Sequence, residues 1–277
     1  MNPRPPVVLT FSGLDPTGGA GIQADITSQA LVNSHCCPVI TSYTSQDTHN
    51  VYGVYPIDAN VIEQSTRCLV RDVRPQAIKI GLLGSTDIAL KVVSLIRDIL
   101  IDCPKLPVIF DPVLAAGGGT NLSSDQLIDV VRDQLLPLCT LITPNTHEAS
   151  RLATIEDPYD AAKSLTTASR SVLLTGTHDT TDQQRVHNRL YCGLSDSEEY
   201  AETEWHWQRL PDEYHGSGCT IASMTAGLLA HGIPLVEAVE QAQALTIDVL
   251  SSSYPVGHGQ LIPNRLPSQL SSHQNND

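Results

Sequence analysis

The sequence predicts an α/β fold: one layered domain whose mostly parallel sheet carries helices on both faces and an antiparallel extension at its edge. Three observations carry this expectation. Short β-branched runs alternate with stretches of helical periodicity along nearly the whole chain. Glycine-rich or polar turns follow directly on several of those runs, as ligand loops do at the carboxyl ends of parallel strands. The 277 residues, 41% of them hydrophobic, suffice for one large core. The expected domain is therefore 1–277, with 267–277 a frayed polar tail.

Residues 7–11 read as the first buried strand. Ser12 to Gly21 then form a turn-rich loop, and 22–32 a helix with Ile22, Ile26 and Ala30 on one face. The loop is neither a dinucleotide-binding G-x-G-x-x-G nor a Walker A loop, and a generic glycine turn is its bland reading. A second strand over 38–44 ends near Gln46. A glutamine amide both donates and accepts, so it can read the edge of a heterocycle; a solvated loop amide is the alternative. A helix over 58–70 precedes a strand over 75–81. A further helix over 86–100 follows, capped by Ser85 or Thr86.

The strand at 107–110 ends in Asp111-Pro112-Val113. A carboxylate there suits metal or phosphate work; a turn-starting Asp before Pro is the structural alternative. Gly117 to Thr120 reads as a flexible flap, and 124–135 as a helix. A strand over 138–143 runs into Pro144-Asn145, and Glu148 three residues on completes a capping box. The same Asn145 and Glu148 are candidates for a magnesium–phosphate cluster. Residues 161–168 read as a helix and 171–175 as a strand leading to Gly176. Residues 189–192 and 204–210 read as the antiparallel extension, around an acidic turn at 195–199.

His215-Gly216-Ser217-Gly218-Cys219-Thr220 opens an apolar helix over 220–230, and 235–250 is one more helix. Two glycines at a helix start expose unpaired N–H groups in a field that favours anions, and a phosphoryl group fits there. That field is expected to lower the Cys219 thiol pKa, which makes Cys219 a candidate base or nucleophile. A plain loop-to-helix turn with a small core cysteine is the alternative. Val256 to Gly259 reads as a small loop covering a ligand.

The net charge of -14, from 30 acidic and 16 basic residues, argues against nucleic acid and anionic membranes as partners. Seven cysteines without a C-x-x-C pattern fit a reducing cytoplasm. The Pro-rich start predicts no signal peptide, and no apolar run reaches membrane-spanning length.

Together these loops resemble one family. Gly13-x-Asp15-Pro16-x-Gly18-Gly19-Ala20-Gly21-Ile22-Gln23-Ala24-Asp25 is similar to the first loop of the hydroxymethylpyrimidine/phosphomethylpyrimidine kinases of thiamine biosynthesis. Lys79-Ile80-Gly81-Leu82-Leu83, Asp111-Pro112-Val113, Ile142-Thr143-Pro144-Asn145-x-x-Glu148-Ala149, Gly216-Ser217-Gly218-Cys219-Thr220 and Val256-Gly257-His258-Gly259 follow in that family's order. The resemblance implies a ribokinase-like three-layer sandwich, ATP and Mg2+, and a homodimer. It implies phosphorylation of 4-amino-5-hydroxymethyl-2-methylpyrimidine and of its monophosphate. It puts Cys219, Gly216, Ser217 and Gly218 at the catalytic centre. Gly13, Asp15, Ala20, Gln46, Leu82 and Val113 fall on the pyrimidine. Asn145, Thr175, Gly176, Ser217, Gly218 and Gln243 fall on ATP, and Asp111 and Glu148 on the metal. Many members carry lysine where this chain has Thr175 and Gln243, so two cations near the nucleotide are missing. Pyridoxal kinase activity, a cysteine hydrolase pairing Cys219 with His215, and a catalytically weak pyrimidine-binding homologue are the competing readings.

Overall fold

A computed structural model describes residues 4–114, 123–177, 182–194 and 200–266. Its centre is a nine-stranded sheet in the order β3-β2-β1-β4-β5-β6-β7-β8-β9. The strands are β1 (Val7–Leu14), β2 (His35–Gln46), β3 (Val51–Pro56), β4 (Ala77–Ile80), β5 (Val108–Phe110), β6 (Leu141–Ile142), β7 (Ser171–Leu174), β8 (Arg185–Gly193) and β9 (Tyr200–Gln208). Strands β2, β1, β4, β5, β6 and β7 are mutually parallel. β8 and β9 extend one edge antiparallel, as expected. β3 adds a second antiparallel strand at the other edge, which the sequence reading left out. None of its residues is buried and they include Gly53, so the buried alternation that betrays a strand is absent.

The helices are α1 (Gly21–Leu31), α2 (Ala59–Asp72), α3 (Thr86–Asp102), α4 (Asp125–Val130), α5 (Thr146–Ala153), α6 (Pro158–Leu165), α7 (Ser217–Ala230) and α8 (Leu235–Ser251). The continuous helix expected over 124–135 instead stops at Val130 and widens into a π turn, Val131–Leu135. The helix expected over 161–168 starts earlier, at Pro158 behind the Asp157 cap, and stops at Leu165. Helices α2 to α6 cover one sheet face, packing on Leu9, Phe11, Ile78, Ile80, Phe110 and Val172. On the other face α7 and α8 pack on Val8, Ala77, Ile109, Leu141 and Leu173, and α1 lies against α7. This is the three-layer sandwich the sequence predicts. The expected flap at 117–120, the acidic turn at 195–199 and the tail at 267–277 lie outside the described residues.

Side chains of Asp58, Ser85, Ser124, Asn145 and Asp157 cap α2 to α6. The helices α1 and α7, which open at the two glycine-rich loops, have no side-chain cap. Their first-turn N–H groups therefore stay available at the carboxyl ends of the parallel strands.

The strand β4 carries an unexpected charge into the core. Lys79 points to the α1–α7 side and its Nζ lies 2.8 Å from Asp25 Oδ1, both side chains fully buried. The contact is an ion pair rather than a well-angled hydrogen bond, since Nζ and Asp25 Oδ2 find no hydrogen-bond partner. Ser223 of α7 donates to Asp25 Oδ1. Removing one charge strands the other, which costs about 3–5 kcal/mol. Urea unfolding of Lys79→Met should show a loss of about that size. Combining it with Asp25→Leu should restore most of the loss; a Lys79→Met variant of unchanged stability would contradict the pairing.

Candidate active site

The carboxyl ends of the parallel strands open into one cavity of about 830 Å³. It is lined from β1 by Gly13 and Asp15, from α1's start by Ala20 and Gly21, and from β2 by Gln46. Leu82, Asp111, Val113, Asn145, Glu148 and Thr175 follow from the next strand ends, and Gly216, Ser217, Gly218 and Cys219 close it from α7. Gln243 of α8 completes the far wall. Every residue expected at the site thus borders this cavity except Gly176. Gly176 spends its N–H on Asn188 Oδ1 at 2.9 Å. It also packs so tightly on β8 that a Cβ would lie 2.0 Å from the His187 carbonyl oxygen.

Two loops meet at the cavity's anion end. Gly216 stands at φ 76°, in the left-handed region, as the N-cap of α7. A Cβ there would fall 2.0 Å from the carbonyl oxygen of Gly19. The buried Arg265 ties the two together: its Nη2 donates to Gly19 O at 2.8 Å and to Gly216 O at 3.2 Å, and its Nε to Thr220 Oγ1 at 2.9 Å. The sequence reading missed Arg265, which sits beside a polar tail and carries no motif.

Asp15 organises the first loop. Its Oδ1 accepts from the Thr17 N–H at 2.8 Å, and its Oδ2 from the Ala20 N–H at 2.8 Å. Oδ2 is also 2.9 Å from His215 Nε2. Burial works to raise the Asp15 pKa, but the His215 hydrogen bond and charge and the two N–H groups outweigh it, holding the carboxyl below its ordinary value. The ionised carboxylate takes the His215 Nε2–H. The Gln46 amide lies 3.2 Å from the same Nε2. The atom placed there is the amide nitrogen, but a protonated Nε2 has no lone pair for an –NH2, so we assign the flipped amide, its oxygen toward His215 and its –NH2 toward the cavity. His215 is therefore a holder of Gln46 rather than a partner of Cys219, which removes the pairing a cysteine hydrolase needs.

Cys219 departs from expectation. Burial and then the neighbouring Asp111 charge push its thiol up, and the Lys79 ammonium only partly opposes them. Desolvation outweighs the helix field, so the residue is a neutral thiol and not a ready base. Its S–H faces Asp111, which burial likewise pushes up, against the opposing Lys79 charge. Glu148 forms the expected capping box with Asn145: its Oε2 accepts the Asn145 N–H at 2.9 Å and its own N–H donates to Asn145 Oδ1 at 2.9 Å. Burial, with the Asp111 charge added, raises Glu148 to about 8.

At the far wall, Asn188 Nδ2 and Trp207 Nε1 both donate to Gln243 Oε1, at 2.7 and 3.0 Å. Thr175 Oγ1 donates weakly to Pro144 O at 3.4 Å. Arg209 also borders the cavity, its Nη1 held by Thr177 O at 2.9 Å. The loop at 256–259 leans on Thr48, where Gly259 N–H donates to Thr48 Oγ1 at 3.0 Å. It borders a separate depression of about 380 Å³ that holds none of the strand-end residues above.

A family model described as phosphomethylpyrimidine kinase matches residues 15–264. The chain belongs to the phosphomethylpyrimidine kinase family. Over 262 residues the kinase is 35% identical to the hydroxymethylpyrimidine/phosphomethylpyrimidine kinase of Mycobacterium tuberculosis, covering 92% of each chain. It is 32% identical to a bifunctional thiamine biosynthesis protein of Geobacter sulfurreducens, covering 91% of this chain and 50% of that one. Among solved structures, the kinase resembles an ADP complex of Bacillus subtilis pyridoxal kinase (TM-score 0.80, 26% identity, 94% and 97% of the two chains). It also resembles a phosphomethylpyrimidine kinase from Clostridium difficile (TM-score 0.72, 26% identity, 88% and 99%).

The Glu148 shift fixes a pH dependence. Its pKa is raised, so the folded state binds more protons than the unfolded one and stability falls as pH rises. The contribution is complete below the ordinary 4.5 and is lost on approaching about 8. Asp111 acts in the same direction. Without magnesium, the Tm of the chain should fall between about pH 5 and about pH 8 more steeply than that of Glu148→Gln. Parallel slopes in thermal melts would contradict the assignment.

Proposed function

We propose that the kinase transfers the γ-phosphoryl group of ATP to the hydroxymethyl group of 4-amino-5-hydroxymethyl-2-methylpyrimidine, and then to the monophosphate, for thiamine diphosphate synthesis. The observation that carries this reading is the single cavity shared by Gln46, the Asp111–Glu148 carboxylates and the uncapped start of α7. The Gln46 –NH2, held outward by His215 and Asp15, donates to a ring nitrogen of the aminopyrimidine. Leu82, whose carbonyl is anchored by Thr41 Oγ1 at 2.5 Å, and Val113 supply apolar faces for the ring. The N–H groups of Ser217, Gly218 and Cys219 cradle the migrating phosphoryl.

The donor set fits magnesium. Asp111 Oδ2 is buried without a partner, and Glu148 is held protonated beside it, a strain that a hard cation relieves. Asp111 would hold the ion, with Glu148 acting through water because its Oε2 serves the α5 cap and its Oε1 accepts the Leu114 N–H. Bound there, Mg2+ supplies charge neutralisation of the polyphosphate. At the nucleotide end Gln243 is fixed by Asn188 and Trp207, and Arg209 supplies a cation where lysines are missing.

Cys219 orients the hydroxyl as a neutral thiol with its S–H toward Asp111. Phosphoryl transfer passes through a loose transition state, so the hydroxyl proton leaves late and a strong base gains little. We infer that the chain works as one domain, as a cytoplasmic homodimer. The seven free cysteines support a reducing compartment. Pyridoxal phosphorylation is a second reading, favoured by the higher TM-score of the pyridoxal kinase, 0.80 against 0.72.

ADP release with Mg2+, ATP and each substrate in turn separates the two: turnover of hydroxymethylpyrimidine well above pyridoxal is expected, and the reverse order overturns the first reading. Cys219→Ala should slow the first phosphorylation, whose hydroxyl the thiol orients, about 10- to 100-fold more than the second, whose attacking group is a phosphate oxygen. Equal losses in both steps would remove the role given to the thiol.

A further inference from the structure

On the face of the β8–β9 ribbon turned away from the cavity, three potential ligands converge. His187 and His206 are directly opposed across the antiparallel pair, next to Arg189 opposite Glu204. Their rings meet edge to face, with centroids 4.5 Å apart and an interplanar angle of 83°. The two Nδ1 atoms lie 2.8 Å apart. Glu204 Oε1 is 3.4 Å from His187 Nδ1, and one ligand atom from each of the three residues lies within 4.8 Å of the others.

We propose that His187, His206 and Glu204 form a binding site for a zinc-type dication, separate from the magnesium site of the reaction. The tautomers make the case. Asp182 Oδ2 lies 3.1 Å from His187 Nε2, so that nitrogen carries the proton and the Nδ1 lone pair is turned inward. A neutral pair then closes by one shared proton, from His206 Nδ1–H to His187 Nδ1. A dication replaces that hydrogen bond: the single His206 hydrogen moves from Nδ1 to Nε2, which faces Glu204 Oε2 at 3.7 Å, so both imidazoles bind as neutral ligands. A carboxylate behind the outer nitrogen of a ligating histidine is the arrangement that fixes ring orientation and raises basicity. Two imidazoles and one carboxylate suit Zn2+ and leave a fourth, tetrahedral position to water, whereas magnesium prefers oxygen ligands.

Charge favours a cation. Asp182, Glu202 and Glu204 gather here against Arg189, which lies over the Tyr159 ring. Arg189 Nε donates to Glu204 Oε1 at 3.0 Å and occupies one of its lone pairs. It tempers the site without filling it. Asn188 and Trp207, the strand neighbours of His187 and His206, are those that hold Gln243 in the cavity wall. A metal clip across His187 and His206 would fix these strands beside the nucleotide end.

Equilibrium dialysis of the full chain against Zn2+ with metal analysis tests this. One Zn2+ per chain is expected at micromolar free metal, unaffected by millimolar Mg2+. His206→Gln and Glu204→Gln, both at half-exposed positions, should each weaken binding at least tenfold. Arg189→Gln should bind at least as tightly as the natural chain. The Co2+ form should show the visible absorption of tetrahedral cobalt, lost in His206→Gln. Absence of stoichiometric Zn2+ binding, or binding by His206→Gln as tight as that of the natural chain, overturns the proposal.

Discussion

The backbone contact between Gly216 and Gly19 is the constraint on which the site depends. Two glycine-rich loops, about two hundred residues apart in the chain, approach so closely that neither tolerates a side chain between them. Each loop opens a helix whose start is left uncapped by side chains. Bringing the two starts together places unpaired N–H groups round one point, beside strand ends that present carboxylates. Arg265 clamps the carbonyls of both loops, so the N–H groups are turned inward and the carbonyls outward. Such a site is organised before any ligand arrives, which is what electrostatic stabilisation of a moving phosphoryl group needs.

Beneath that point the charges are buried in series. Lys79 and Asp25 form a fully buried pair, and the Lys79 ammonium acts on Cys219 and Asp111 above it. Burial of Lys79 works to lower its pKa, and the charge of Asp25 chiefly restores it and carries it above its ordinary value. Asp25 neutralises that ammonium, so in a chain of net charge -14, whose long-range field opposes phosphate binding, an anion is left to the N–H groups of the helix starts. Local order, not overall charge, attracts the polyphosphate. The same burial explains why Cys219 is a thiol: a cysteine at a helix start is activated only where solvent or cations reach it.

Much of this was legible in the sequence, because strand-end loops announce themselves through glycine and turn residues. The parallel strands, the Asn145–Glu148 capping box and the helix start at Gly216 follow from local patterns of few residues. What escaped depends on contacts between distant segments. His215 could be placed beside the glycines but not against Asp15 and Gln46. Arg265 belongs to no motif, and Lys79 reads as an ordinary strand residue until the layers close over it. The Cys219 thiol went the wrong way because the helix field is visible in sequence and desolvation is not. The close packing of Gly176 on the β8 backbone was equally out of reach, because it joins segments distant in the chain. β3 escaped because an exposed edge strand lacks buried alternation.

The most direct test is steady-state phosphorylation of hydroxymethylpyrimidine by Gly216→Ala. A Cβ at this position meets the Gly19 carbonyl and must push the two loops apart. Displacement of catalytic groups by about 1 Å costs about 100-fold in rate, so kcat/KM should fall by about that factor or more while circular dichroism reports an intact fold. A folded Gly216→Ala variant with kcat/KM close to that of the natural chain would contradict the claim that the contact of the two loops builds the site.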